Sequence, residues 1–271
     1  MIADWDDAYA SAAHIAEADM FPRFWAARAA EHCAARLGKG RAQLDLAYGE
    51  DERERLDLFR PDGRSKGLAV FVHGGDWSRF DKSSWSHLSD GSLRRGWTVA
   101  VPSYPLAPKA RIKDIARAIA RAIGFAARLV PGPITLAGHC SGGHLAARMG
   151  CLHGPLQEVE RRRLARVIAI SGVFDLRPLL KARLNEMLRL NEEEAVAESP
   201  ALLRPFEGLT LAAWVGSDER PEYLRQSALI ANIWSGLGAA TRCVKAPGRH
   251  HYDVIADLSD PESALTAAFA P

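Results

Sequence analysis

Ile134-Thr135-Leu136-Ala137-Gly138-His139-Cys140-Ser141-Gly142-Gly143-His144-Leu145 decides the fold. The first four residues are a short apolar run that reads as a buried strand. The run ends in Gly-His-Cys-Ser-Gly-Gly and passes into Leu145-Ala146-Ala147-Arg148-Met149, a helix-forming sequence. Strand, glycine-flanked turn and helix are the setting of a nucleophile elbow, a sharp turn that lifts its central side chain above a sheet. Such a turn has no room for bulk two residues before or after its centre. Gly138 and Gly142 meet that requirement around Cys140. Ser141 is excluded as the centre, because His139 would then occupy the small position.

Outward from the elbow, the chain alternates strands and helices. Leu68 to Val72 is a continuous apolar run, as expected of a buried parallel strand, and leads into His73-Gly74-Gly75-Asp76-Trp77. Thr98 to Val101, Val167 to Ile170, Leu209 to Val215 and Thr241 to Lys245 read as further strands. Leu44 to Tyr48 and Arg55 to Phe59 alternate apolar and polar residues, as a strand pair does. Helical periodicity runs from Asp114 to Val130, from Pro221 to Trp234 and near Glu262 to Phe269. The pattern predicts an α/β fold with a mostly parallel central sheet flanked by helices. One domain spans 1–271. Residues 1–40 form an N-terminal helical segment anchored by Trp5, Tyr9, Phe21, Phe24 and Trp25. Residues of about 175–206 read as a small helical cap insertion.

Composition narrows the function classes. The 271 residues are 48% hydrophobic and 25% charged with a net charge of +2, so nothing points to nucleic acid. Arg161-Arg162-Arg163 sits beside Glu158 and Glu160 and reads as a solvated helix face. Asp4, Asp6 and Asp7 are opposite in sign to a secretory leader, and no apolar run approaches membrane-spanning length. The expected compartment is therefore cytoplasmic, with no membrane partner. Cys33, Cys140, Cys151 and Cys243 contain no C-x-x-C pair, which argues against a disulfide framework or a zinc site. Cys33, Cys151 and Cys243 read as buried free thiols.

In open α/β sheets, working groups collect at the carboxyl ends of strands. Four such ends carry reactive residues: His73-Gly74-Gly75, Cys140-Ser141, Ser217-Asp218-Glu219 and His250-His251. A nucleophile needs a base, and the base needs an orienting acid. Cys140 is the candidate nucleophile, placed at a helix N-terminus that favours a thiolate. His251 is preferred to His250 as the base, and Glu219 to Asp218 as the acid, three residues after Gly216. The N–H groups of Gly74, Gly75 and Ser141 are candidate donors to an oxyanion. Trp77, Trp85 and Tyr104 are candidates for lining the pocket. His139 and His144 are expected to be structural, since neither has a metal-ligand spacing.

In this order, the motifs resemble an α/β-hydrolase of the arylformamidase (kynurenine formamidase) and hormone-sensitive-lipase-like esterase group. The resemblance is carried by Phe71-Val72-His73-Gly74-Gly75-Asp76-Trp77, Gly138 to Leu145, Ser171-Gly172-Val173-Phe174-Asp175-Leu176, Val215-Gly216 with Glu219-Arg220-Pro221-Glu222-Tyr223, and His251-Tyr252-Asp253-Val254-Ile255. It spans most of the chain from about Gln43. It implies a nucleophile at 140, an acid at 219 and a histidine at 251, with no metal and no cofactor. It also implies N-formyl anilides such as N-formylkynurenine, or short acyl esters, as substrates. The departure is Cys140, where the group has serine.

The reading is a hydrolase that cleaves a small acyl ester or amide through an acyl-enzyme on Cys140, with His251 as base. One alternative is an arylformamidase releasing formate from N-formylkynurenine, with Cys140 standing in for serine. The other is a non-catalytic ligand-binding protein on a hydrolase fold. The expected partner is a small-molecule acyl substrate, with a homodimer left open.

Overall fold

A computed structural model of the chain describes residues 2–271. Eight strands form one sheet among the described residues: β1 (Ala42–Ala47), β2 (Arg55–Phe59), β3 (Leu68–Val72), β4 (Thr98–Pro102), β5 (Ile134–His139), β6 (Leu164–Ile170), β7 (Thr210–Gly216) and β8 (Ala240–Ala246). Their order is β1-β2-β4-β3-β5-β6-β7-β8. β2 runs antiparallel to both its neighbours, and β3 to β8 pair in parallel. This is the predicted fold class.

β3, β4 and β5 are buried at every position, which is why they lack the alternation seen in a half-exposed strand. Successive side chains still point to opposite faces. Leu68, Val70 and Val72 join a core under the helices Ile112–Leu129 and Ser141–Met149, whereas Ala69 and Phe71 join one with Trp25, Trp85 and Phe269. The helix Ile112–Leu129 buries Ile112, Ile115, Ile119, Ala122, Ile123 and Ala126, the single stripe that a period of 3.6 residues provides.

Arg163 departs from the solvated face expected of the arginine run. Arg161 and Arg162 do pair with Glu158. Arg163 instead donates to the carbonyls of Ala127, Val130 and Gly132 at 2.8, 2.5 and 2.7 Å, satisfying the end of the long helix and the turn after it. The thiols also differ from expectation. Cys151 is buried, but Cys33 is half-buried and Cys243 is exposed, because β8 is the edge strand and shows one face to solvent.

Before the sheet, the chain forms a short helix Trp5–Tyr9, two 3-10 turns and the helix Phe21–Gly38. Asp4 caps the first by accepting from Asp6 N and Asp7 N at 2.9 and 3.0 Å. Within 175–206 lie the 3-10 turn Arg177–Lys181, the helices Asn185–Leu188 and Glu192–Ala197, and the turn Pro200–Leu202. Trp234 Nε1 donates to Pro200 O and Leu203 O at 3.1 Å, which docks this segment on the helix Pro221–Ser235. No described helix is long and apolar enough to cross a membrane.

Candidate active site

β5 ends at His139, and the helix Ser141–Met149 begins one residue after Cys140. Between them Cys140 adopts φ 54° and ψ −121°, a conformation that costs a non-glycine residue roughly 1–3 kcal/mol. The surroundings hold it there. Cys140 N donates to Ile170 O at 2.9 Å, and Cys140 O accepts from Gly143 N at 2.9 Å. A Cβ on Gly138 would overlap the Gly142 carbonyl, and one on Gly142 would overlap the Val72 carbonyl. The elbow therefore needs glycine at both flanking positions.

His251 Nδ1 lies 2.7 Å from Glu219 Oε2. The other carboxylate oxygen, Oε1, accepts from Ser171 Oγ at 2.5 Å and Gly216 N at 2.8 Å, so the acid is clamped at both ends. Both side chains are buried. Burial alone would depress the His251 pKa. The Glu219 carboxylate, joined by the neighbouring Cys140, overrides burial and raises it to about 10. The ring sits between those of His139 and Tyr223, with centroids 4.6 and 4.4 Å away. His139 Nε2 bonds the His251 carbonyl at 2.8 Å, and burial holds the His139 pKa well below the usual histidine value. It is a neutral prop for the His251 ring.

Cys140, His251, Gly74 and Gly75 line one cavity of about 150 Å³, with Asp76, Trp85, Tyr223 and Tyr252 among its other walls. A Cβ on Gly74 would come within 2.9 Å of Cys140 Cβ, so its bare backbone lies directly against the elbow. Gly75 has φ +115°. Among the described residues, neither glycine N–H donates to a protein acceptor. Ser141 N–H is free for the reason that every first-turn helix N–H is. Gly74 and Gly75 share the cavity wall with Cys140, and Ser141 follows it directly in the chain.

The less favoured alternatives, His250 and Asp218, sit elsewhere. His250 packs on Phe21, and its Nδ1 accepts from Tyr252 N at 3.1 Å. Asp218 is exposed and accepts from Ser217 Oγ. Trp77, expected at the pocket, does not line it. The left-handed backbone at Asp76 and Trp77 (φ 54° and 56°) turns the indole inward against the His144 ring, centroids 5.2 Å apart. Tyr104 likewise lies beneath the site, stacked on His73 at 4.3 Å and donating to His73 O at 2.9 Å. Trp85 alone of the three lines the cavity. His144 Nε2 bonds Glu198 O at 2.7 Å.

Three features escaped sequence reasoning. Asp76 places Oδ1 3.7 Å from Cys140 Sγ, while Oδ2 pairs with Arg79 at 2.5 Å. Tyr223 packs on the imidazole. Tyr9, Ala10, Ser11 and Ala12 form a cavity wall, and no residue of 175–206 does. That wall is fastened beside the acid: Asp7 pairs with Arg220, and Tyr9 Oη donates to Glu222 Oε1 at 3.0 Å. The aromatic content of residues 5–25 was the available signal.

Comparison with known proteins places the fold. The alpha/beta hydrolase family model matches residues 69–269. The chain belongs to that family. A provisionally named thioesterase from a Silicibacter species is 44% identical, with a TM-score of 0.93 and coverage of 98% of both chains. The kynurenine formamidase of Salmo salar is 27% identical over 84% of this chain and 81% of its own length. That of Drosophila melanogaster is 25% identical over 85% of this chain and 78% of its own. This alpha/beta hydrolase is an enzyme of a hydrolytic family that differs from chain to chain in what is cleaved.

Proposed function

We propose that this hydrolase removes a small acyl group from an ester or amide through a covalent acyl-enzyme on Cys140. The observation that carries the reading is the shared cavity: the elbow thiol and an imidazole held 2.7 Å from a buried carboxylate open onto the same small space. His251 takes the thiol proton, and Cys140 attacks the acyl carbon. The oxyanion forms among the N–H groups of Gly74, Gly75 and Ser141. His251 then protonates the leaving group, and later activates the water that releases the acid. A cavity of about 150 Å³ suits a short acyl group. The site would lie in a cytoplasmic protein.

The experiment is turnover of p-nitrophenyl acetate with mass spectrometry of the trapped enzyme. Cys140→Ala is expected to abolish turnover and the acetyl adduct. Persistence of turnover in that variant removes Cys140 from the mechanism.

Arylformamidase activity on N-formylkynurenine is the second reading, favoured by kynurenine formamidases that match over most of both chains. Formate release compared between the parent and Cys140→Ser tests it.

A further inference from the structure

We propose that Asp76 is a specificity-determining residue that accepts the N–H of a scissile amide and thereby favours amide over ester cleavage. The inference rests on Cys140 acting as the nucleophile.

The backbone is bent to put this carboxylate beside the sulfur. Gly75, Asp76 and Trp77 have φ of +115°, 54° and 56° in succession. Only the first is a glycine, and positive φ at the other two is unfavourable for their residue types. Ser78 N and Arg79 N both donate to Gly75 O at 2.9 Å and close the turn. Arg79 holds Oδ2, leaving Oδ1 3.7 Å from Sγ and on the cavity wall.

A carboxylate can only accept hydrogen bonds. A carbonyl oxygen gaining negative charge is repelled from it and drawn to the N–H groups of Gly74, Gly75 and Ser141. The other substituent of the acyl carbon, the leaving group, is the part of the substrate able to benefit from Asp76. An ester oxygen presents lone pairs and gains nothing there. An amide nitrogen presents N–H.

The gain falls at the step where a thiol nucleophile is weakest. From the tetrahedral adduct, thiolate leaves more readily than an amine. Forward collapse requires His251 to give its proton to the nitrogen lone pair. The C–N bond then breaks with its electron pair on nitrogen, the carbonyl re-forms as a thioester on Cys140, and the neutral amine departs. Asp76 neither gains nor loses a proton. By holding the existing N–H it turns the lone pair toward the imidazolium, and its charge stabilises the ammonium-like nitrogen. Arg79 limits the penalty that the same charge imposes on the oxyanion.

The test is a substrate pair sharing one aromatic ring, p-nitroacetanilide and p-nitrophenyl acetate, on the full chain. Asp76→Ala is expected to lower the ratio of kcat on the anilide to kcat on the ester by about 10- to 100-fold, with Asp76→Asn intermediate, as befits a hydrogen bond to a charged group. Equal loss on both substrates assigns Asp76 a merely structural role and overturns the proposal. So does a parent enzyme that cleaves the ester but not the anilide. Ester turnover surviving in Cys140→Ala instead overturns the nucleophile assignment, and this inference with it, through a variant that leaves Asp76 untouched.

Discussion

Glu219 meets His251 at 2.7 Å through its Oε2, while its Oε1 is bound by Ser171 Oγ and Gly216 N. The carboxylate thus has no freedom to leave the imidazole. Glu219→Gln keeps the shape but removes the charge that orients the ring and stabilises its protonated form. We expect kcat for an acyl ester to fall by roughly 10²- to 10⁴-fold, with KM little changed, in steady-state kinetics.

The pH dependence follows from the same pair. The His251 pKa is raised to about 10, so a ring that has taken the thiol proton keeps it through neutral pH and loses it as pH rises through that value. The acid needed to expel the leaving group is lost with it. Activity should therefore hold across pH 7–9 and decline near pH 10, and Glu219→Gln should move that alkaline limb toward neutrality. A limb unmoved by the substitution would separate it from His251.

Buried histidines set an opposite trend in stability. Burial lowers the pKa of His73 and His87 to about 4 and of His144 to about 3. Each is neutral when folded yet titrates near 6.5 once unfolded. Between pH 6.5 and about 4 the unfolded chain binds more protons, so stability falls as pH falls through that window, by on the order of several kcal/mol in all. Urea midpoints measured from pH 7 to pH 4 should drop steadily, and His87→Gln should flatten part of the slope.

Gly142→Ala directs a methyl group into the Val72 carbonyl. Backbone cannot rotate away as a side chain can, so the elbow must open. We expect a loss of about 3 kcal/mol or more in chemical denaturation and near-complete loss of turnover.

Ser11 is buried in the cavity wall. Ser11→Leu should fill part of the roughly 150 Å³ and lower kcat/KM for an acetyl ester by at least about 10-fold, since small changes in pocket volume carry about that discrimination. The corresponding formyl substrate should suffer less.

Much of this site was legible in the chain because sterics leave few choices. Gly138 and Gly142 mark the elbow, since any Cβ there strikes backbone. Glu219 was distinguishable from Asp218 by its spacing from Gly216, whose N–H it accepts. Where long-range packing decides, the sequence was silent. Nothing local in His-Gly-Gly-Asp-Trp indicates that Asp76 faces the thiol while Trp77 turns inward, because that depends on two left-handed residues imposed by the fold. The wall Tyr9–Ala12 has no periodicity of its own and takes its place from partners more than 200 positions away, Arg220 and Glu222. Arg163 looked like its neighbours in charge, and only the end of a distant helix distinguishes it.

The wall around residues 9–12 shares its foundations with the acid loop. Asp7 is tied to Arg220, the residue after Glu219, and Tyr9 leans on Tyr223, which in turn cradles His251. The cavity wall and the support of the imidazole are thus parts of one connected set of contacts. A change in the first ten residues, remote in sequence from Cys140 and His251, is therefore expected to shift the imidazole as well as resize the chamber, and to be compensated by changes at the start of the helix Pro221–Ser235.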